Sequence, residues 1–539
     1  MNLKQRTMMT KHLIKYLALG LLLCLLEVSC KVGPNYSQPL DDTPQDFRYT
    51  AGRTDSIINL KWWEIFEDET LDTLVRTALR ENKNLLIAAS RIEQARANYK
   101  FNKADMGPKI GIQAEAGVTN QLFGIPLDNN VETYSASGTL NWELDFWGKF
   151  RRANEAARAE LMASFYGKRA IEIALISEVA TTYFQLLDFK TRLAISESTL
   201  ALRDSSLQII QARFDEGYTH IIDVNQAEIQ KAIAQVSVPV FKRNIAFTEH
   251  NLSILLGRNP DSIATIKDLA DYGIPDSIPS GIPSELLARR PDILEAAQLY
   301  RAQNARIGVA QALRFPSISL TGLVGVGSND LSSLLDNGLG WSAGAGLLGP
   351  LFEWGKNARR VDIERELARQ SLLSYENTVL NALLEVNNAL IALSTLKEEL
   401  AANQLKYSAA RNASSLSRHR YYQGVTSYLE VIENQRQEFE ARLSYAENYQ
   451  RLLTGYVTLY KSLGGGWVTE EELEKYAVQL AREQNVNSAE INRDSLHYAG
   501  QIVDYYLTPE QEQQRKEQRK ALQQKEREER KAARRSGSN

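Results

Sequence analysis

The sequence has little cysteine, little histidine and no long unbroken apolar run after its N-terminus. Its 539 residues include two cysteines and five histidines. Both cysteines, Cys24 and Cys30, lie near the N-terminus, so the body of the protein can form neither a disulfide framework nor a cysteine-based metal site. The histidines lack metal-ligand spacing, which predicts no metal. Beyond the N-terminal region no stretch reaches about 18 uninterrupted apolar residues, so the sequence predicts no transmembrane helix.

Charge excess and catalytic patterns are also missing. The chain has 63 Lys and Arg against 66 Asp and Glu, a formal net charge of −3, which predicts no nucleic-acid partner. No Ser, Cys and His combination suggests nucleophilic catalysis. The run GAGLLG at 344–349 matches GxGxxG, but a dinucleotide site needs that run to open a helix, and Pro350 follows here. We therefore expect no cofactor and no enzyme activity.

The N-terminus is typical of a bacterial lipoprotein signal. Four basic residues precede the apolar run YLALGLLLCLL at 16–26, namely Lys4, Arg6, Lys11 and Lys15. In the following LLEVSC, small residues before Cys30 predict cleavage there and lipid attachment to its thiol, although Glu27 stands where an aliphatic residue is usual. A plain secretory signal with an incidental cysteine is the alternative. We expect a signal peptide at 1–29 and a lipidated segment at 30–70.

The chain is duplicated with an offset near 207 residues. Four landmark pairs share this offset to within one residue: Trp147 and Trp354, Gly217 and Gly424, Gly257 and Gly464, and Pro108 and Pro316. Such agreement indicates a tandem repeat whose unit is itself a small structure. The predicted repeats are 71–257 and 284–467, joined by a linker at 258–283. A charged C-terminal extension, 468–539, follows and is expected to be partly disordered from 511.

Each repeat is mostly helical. After a first helix and two alternating segments come a long helix, 150–213 or 357–420, and a return helix, 222–256 or 429–463. Apolar residues on the long helices, such as Leu372, Tyr375 and Val379, step by three or four. This narrow stripe favours coiled-coil packing of helices about 95 Å long.

The alternating segments predict strands at about 108–120, 134–146, 317–327 and 340–352. In YSASGTLNWELDF, 134–146, one face is apolar and the other polar. A soluble sandwich strand is one interpretation, and a tilted membrane-barrel strand is the other. In a membrane, Trp142, Phe146, Trp147 and Trp354 would be interfacial aromatics. Four strands cannot close a barrel and open edges are forbidden in hydrocarbon, so several chains would have to share one barrel.

Several segments resemble the TolC-like outer-membrane efflux proteins, in the OprM-type lipoprotein branch. These are CKVGPNYSQP (30–39), WW (62–63), the paired RFDEG…DVNQAE and RYYQG…EVIENQ, and LGGGW (463–467). The resemblance implies a mainly α fold: a coiled-coil tunnel plus four strands per chain in a trimeric twelve-strand barrel. It implies a homotrimeric exit duct in outer-membrane lipid, joined to a periplasmic adaptor (membrane fusion) protein and an inner-membrane transporter.

The resemblance also implies which residues serve the duct. The turns at Gly217 and Gly424 would be the periplasmic tips and adaptor contacts. Asp223, Glu430 and Glu433 would form carboxylate rings at a closed aperture, and the family commonly has aspartate where this chain has the two glutamates. An ordinary electrostatic role at helix N-termini is the alternative. Four residues near the tips are candidate latch partners: Arg213, Arg420, Tyr421 and Tyr422.

Three functional hypotheses remain open on sequence grounds. The first is an efflux duct for small molecules, the second is a protein-secretion duct with the same body, and the third is a lipid-anchored coiled-coil scaffold without a pore. The alternating polar face at 135–145 favours a pore, because a scaffold has no need of a lipid-facing strand.

Overall fold

The computed structural model describes residues 31–37, 39, 44, 47–48, 66–122, 125–273, 287, 290–336 and 338–465. The predicted signal peptide, Cys30 and the C-terminal extension lie outside the described residues, as do residues 274–283 of the predicted linker.

The described chain is mainly helical with a small sheet, as the sequence predicts. Its helices are α1 (Glu69–Glu81), α2 (Lys83–Ala104), α3 (Lys149–Asp215), α4 (Ile221–Leu255), α5 (Pro291–Ala312), α6 (Lys356–Tyr422) and α7 (Tyr428–Ser462). Its strands are β1 (Lys109–Leu122), β2 (Ile125–Leu144), β3 (Ser317–Ser328) and β4 (Gly340–Leu348). The element order is duplicated, and α3 and α6 each contain 67 residues, which corresponds to about 100 Å.

Three element boundaries differ from the sequence prediction. Strand β4 ends at Leu348, not 352, shortly before Pro350, which has no amide to donate to a ladder. The first helix is divided at Asn82, whose side chain accepts the Leu85 amide at 3.1 Å and so begins a new helix. Strand β2 begins at Ile125, not 134, and has 20 residues. Its first part holds Asp128, Asn129 and Asn130, residues that are depleted in strands and that concealed it from the sequence pattern.

The two longest helices also differ from expectation in their apolar content. By length and composition alone, α3 and α6 are apolar enough over part of their length to cross a membrane. The criterion of an unbroken apolar run missed them because it tolerates no interspersed charge. The apolar window of α3 is 56% buried within the chain, against 33% for that of α6, so much of this apolarity in α3 serves helix packing.

The four strands form one antiparallel sheet in the order β1-β2-β3-β4. The register aligns residues of like character in rows across it. One apolar row joins Ile112, Gly138, Val324 and Trp341, and a polar row three residues away joins Lys109, Asn141, Thr321 and Gly344. Both β1 and β4 are edge strands among the described residues.

The two faces of this sheet have opposite chemistry. The polar face carries Ser, Thr, Asn, Gln and Gly together with the charged Lys109, Glu115 and Glu143, and its apolar exceptions are Val131, Leu323 and Leu348. The other face carries large apolar side chains that are exposed in the single chain, among them Ile110, Ile112, Leu140, Val324, Trp341 and Leu347. A soluble sandwich would cover that face with a second layer, and the described part of the chain supplies none. An apolar face in lipid and a polar face in water fits this pattern.

The chain divides into two compact units, each drawn from both repeats. The first includes Leu79–Ala174 and Pro291–Leu383, and therefore the sheet. The second includes Leu175–Arg290 and the chain from Leu384 onward, and therefore both helix–turn–helix tips. Within the second unit Val179, Ala180, Tyr183 and Phe184 on α3 are fully buried.

Candidate functional site

The corner between β2 and α3 is fixed by hydrogen bonds that begin the helix. The Asp145 carboxylate accepts the backbone amides of Phe150 and Arg151 at 3.0 and 2.9 Å. Gly148 between them has a φ of 78°, which disfavours any side chain there. The repeat equivalent of Asp145 is Phe352, so the two copies of this corner start their helices differently.

The predicted interfacial aromatics fall into two kinds of environment. The indole N–H of Trp142 donates to the Met106 carbonyl at 3.0 Å, and that of Trp147 donates to the Pro316 carbonyl at 2.8 Å. Trp147 also contacts Phe146, with ring centroids 4.8 Å apart. In contrast, Trp354 is 90% exposed. The two equivalent tryptophans therefore differ in environment: Trp147 packs within the chain, and the Trp354 side chain is exposed.

Both helix–turn–helix tips end their first helix in the same way. Gly217 and Gly424 have φ values of 78° and 74°. In the first tip the Tyr218 amide donates back to the Arg213 carbonyl at 2.7 Å. In the second tip the Val425 amide donates to the Arg420 carbonyl at 2.9 Å. This is the Schellman arrangement, which satisfies the last carbonyls of a helix and requires a left-handed residue.

The tips pack against each other through an apolar cluster. Buried residues from α3, α4 and α7 form it, and they are Ile210, Val224, Ala227, Tyr428, Val431 and Ile432. Burial raises the pKa of Tyr428 to about 12, so its hydroxyl stays neutral at physiological pH. The cluster brings the start of α4, with Asp223, beside the start of α7, with Glu430.

The three predicted gate carboxylates have different partners. Asp223 accepts the Thr219 hydroxyl, and it forms no ion pair with any described residue. Glu430 accepts the Thr426 hydroxyl, the repeat equivalent of Thr219, and also forms an ion pair with Arg420 at 2.8 Å. Of the three predicted gate carboxylates, Asp223 is therefore the one that forms no ion pair with a described residue.

Glu433 forms a local pair on the exposed surface of α7. Its carboxylate accepts Arg436 at 2.6 Å and Gln437 at 2.8 Å, and Arg436 also pairs with Glu440 at 2.7 Å. The hydrogen bonds from Arg436 and Gln437 lower the pKa of Glu433.

Two of the candidate latch residues, Arg213 and Tyr421, contact each other. The Arg213 guanidinium lies 5.1 Å from the centre of the Tyr421 ring, and Tyr421 packs on Tyr428 with ring centroids 5.3 Å apart. Burial is the main reason that the pKa of Tyr421 is raised. Its neighbour Tyr422 is exposed.

A buried arginine that sequence reasoning missed holds the segment after Cys30. Arg152 on α3 is 1% exposed. It donates to the carbonyls of Val32 and Gly33 at 3.1 and 3.0 Å and to the Asn35 side chain at 3.0 Å. It also pairs with Glu155 at 3.0 Å. We call this group, completed by a 2.7 Å pair between Lys31 and Glu155, the N-terminal clamp.

These features together indicate what the chain can do. Within the described ranges no cluster of His, Cys, Asp or Glu could hold a metal ion. The chemistry present is a two-faced sheet with open edges, a clamp on the N-terminal segment, and two helix tips with carboxylates. The class defined by this fold is an outer-membrane channel component with a helical body.

Comparisons with known proteins identify the family. The model of the outer membrane efflux protein family matches residues 74–258 and 282–465. The cation efflux system protein CusC of Escherichia coli K12 is 31% identical over 457 residues, which cover 81% of this chain and 96% of CusC. The toluene efflux pump outer membrane protein TtgI of Pseudomonas putida is 31% identical, covering 84% of this chain and 99% of TtgI.

Solved structures show the same relationship. The outer-membrane channel OprN superposes with a TM-score of 0.77 at 32% identity, covering 81% of this chain and 100% of OprN. The open-state MtrE channel of Neisseria gonorrhoeae gives a TM-score of 0.74 at 27% identity, covering 81% and 98%. The chain belongs to the outer membrane efflux protein family. It is an outer-membrane exit duct of an efflux system.

Proposed function

We propose that the protein works as a homotrimer whose three sheets close one twelve-strand barrel. The observation that carries this proposal is the sheet itself. Among the described residues nothing covers its apolar face or pairs with its two edge strands, and unpaired strand edges are not tolerated in hydrocarbon. Edge β1 of one protomer pairs with edge β4 of the next, so that lipid meets the apolar face and water meets the polar one.

The duct passes small molecules received from a periplasmic adaptor and an inner-membrane transporter. The relatives named for toluene and for cations are each 31% identical to this chain, so overall similarity to the duct does not distinguish the cargo. Cargo selection therefore lies with the transporter, and the tips at Gly217 and Gly424 are the adaptor contacts. Both relatives belong to efflux systems, which favours efflux over protein secretion or a scaffold without a pore.

The periplasmic aperture is gated by the tip carboxylates. In a trimer Asp223 and Glu430 each occur three times around the opening, and such rings attract cations. Arg420 compensates Glu430, so Asp223 contributes most of the attractive field. The candidate latch is the group formed by Arg213, Tyr421 and Arg420, which holds the ends of the two long helices at the tips.

Neutralising Asp223 is expected to reduce cation selectivity several-fold. In planar bilayers the Asp223→Asn channel should show a lower cation-to-anion permeability ratio than wild type, because three carboxylates are lost from one level of the pore. The matched control is Thr219→Val, which removes the hydroxyl that Asp223 accepts and keeps the charge. The control should retain most of the selectivity. Unchanged selectivity in Asp223→Asn would contradict the gate assignment.

Cys30 is the lipid anchor. The residues that follow it support this role, because the clamp holds them against the β2–α3 corner. The Val32 amide donates to the Trp147 carbonyl at 3.2 Å, and a side chain on Gly148 would come within 3.2 Å of Lys31. The first described residue after Cys30 thus lies at the corner where β2 ends.

Replacing Cys30 by serine is expected to abolish acylation. Cells fed labelled palmitate should label the wild-type protein and not the Cys30→Ser variant. Cys24→Ser is the control and should label normally, because Cys24 lies within the predicted signal peptide. Label remaining on Cys30→Ser would show that the lipid is attached elsewhere.

A further inference from the structure

Helix α4 has apolar residues on two opposite sides. One side is buried against its own chain and includes Val224, Ala227, Ala234, Phe241 and Leu252. The other side is exposed in the single chain and includes Ile222, Ile229, Ile233, Val236, Phe247 and Ile254. The exposed residues recur at steps of three, four, seven and eleven, which keep them on one side of the helix as in a coiled-coil seam. We call them the α4 stripe.

The α4 stripe is not a requirement of the hairpin fold. Helix α7 is the repeat equivalent of α4, and at four of the six stripe positions, Ile229, Ile233, Phe247 and Ile254, it has Arg436, Glu440, Thr454 and Lys461. At the other two positions it keeps a leucine, Leu429 and Leu443. The first repeat therefore has a continuous apolar surface that polar residues interrupt at four of six positions in the second. A continuous exposed apolar stripe in one copy alone indicates a contact that only this copy makes.

The part of α6 from Leu384 to its C-terminal end also has an exposed apolar surface. Leu384, Leu405 and Leu416 are exposed, and their spacing places them on one side of the helix. The buried residues Val386, Leu393, Leu396 and Leu400 occupy the opposite side. We call the exposed leucines the α6 stripe.

Apart from the tip cluster, where α4 also meets α7, the contacts in the second unit run from α4 to α3, α7 and α6 and leave α4 and α6 as its outer members. Helix α4 pairs with α3 through Lys231 and Asp204 at 2.6 Å. Helix α3 contacts α7 where Arg203 lies 5.0 Å from the centre of the Phe439 ring. Helix α7 contacts α6 where Asn448 donates to Glu399 at 2.9 Å. Each outer helix thus turns an apolar stripe away from its own neighbours.

One charge lies within each stripe, and the two are opposite in sign. Arg243 lies 26 residues after Gly217 on α4, and Glu398 lies 26 residues before Gly424 on α6. Because α4 runs away from its tip and α6 runs toward its tip, equal separations place the two residues at the same height along the two antiparallel helices. Both are exposed, and neither forms an ion pair with the described chain. Val236 and Leu405, at 19 residues from their tips, also match.

We propose that the α4 stripe of one protomer packs against the α6 stripe of the next, and that Arg243 pairs with Glu398 across this seam. The occupant of each stripe is therefore a second copy of this chain. An ion pair within an apolar seam fixes the register of two helices, because any slip leaves both charges against apolar side chains. The inference rests on the proposed homotrimer and names the contact that aligns its tips.

Disulfide trapping tests the contact directly. The double variant Arg243→Cys/Glu398→Cys is expected to give covalent trimers on a non-reducing gel after mild oxidation, because a disulfide forms only when the two Cα atoms approach within about 7 Å. The control is Lys242→Cys/Glu398→Cys. Lys242 pairs with Glu197 of its own chain at 3.2 Å and so faces away from the seam, and this control should stay monomeric.

A charge exchange supplies a second measurement. Arg243→Glu alone should lower the temperature at which the trimer dissociates in detergent, and Arg243→Glu/Glu398→Arg should restore it. If a lysine-reactive crosslinker gives wild-type trimers while the cysteine pair gives none, the seam is wrong and the homotrimer stands. If neither reagent gives trimers, the proposed function fails as well. Crosslinking of position 243 to an adaptor would also overturn the seam.

Discussion

Replacing Ile112 by lysine is expected to prevent stable insertion of the sheet into the outer membrane. Ile112 lies on the apolar face, in the row that crosses all four strands, and its side chain is 95% exposed. Loss of packing within the chain therefore cannot explain a strong effect. A lysine facing lipid costs about 2–4 kcal/mol near the bilayer midplane, and a trimer would carry three. Membrane fractions should contain far less of the folded variant than of wild type.

The neighbouring residue provides a matched control. Gln113 lies on the opposite, polar face of the same strand, so Gln113→Lys introduces the same charge into the water-filled side. This variant should insert normally and give heat-modifiable trimers on a gel. Equal insertion of both lysine variants would mean that lipid does not contact the apolar face. That result would contradict the proposed twelve-strand barrel as well.

Much of this architecture could be predicted from the sequence because it depends on periodicity. The alternation at 134–146 predicted a two-faced strand, and the structure shows the two faces across the whole sheet. The coiled-coil spacing of Leu372, Tyr375 and Val379 predicted a long helix there, and the long offset predicted the duplication. Each of these signals is local or repeats along the chain, so one sequence is enough to reveal it.

The details that the sequence could not show depend on side chains that meet across long separations. Arg152 binds carbonyls about 120 positions earlier, and carbonyls are invisible in a pattern of residue types. Likewise, Asp223 and Glu430 occupy equivalent positions in their repeats, yet only Glu430 has an arginine partner. The equivalent Arg213 lies over Tyr421 instead. Duplication predicts equal positions, and packing then makes their charges unequal.

Replacing Arg152 by methionine is expected to release the N-terminal segment from the body of the protein. The methionine keeps an apolar side chain in the site but removes the donors to Val32, Gly33 and Asn35. Removing one partner of a buried ionic network costs about 3–5 kcal/mol. A tenfold change in the equilibrium constant for release of the segment corresponds to about 1.4 kcal/mol. Cleavage by trypsin after Lys31 should therefore accelerate by on the order of 100-fold or more. Cleavage there would separate the duct from its lipid.

Arg158→Met on the same helix is the control, because Arg158 is exposed and forms no ion pair with the described chain. It should leave the cleavage rate within a factor of about two.

Acid should mimic Arg152→Met in part. Burial opposes ionisation of Glu155, but Lys31 and Arg152 outweigh it and hold its pKa below the usual value. The ionic part of the clamp is therefore complete above the unfolded-state pKa of Glu155 and is lost as pH falls through its lowered folded-state pKa. A cleavage rate that did not rise over this acidic window, in a protease active there, would show that the carbonyl contacts alone hold the segment.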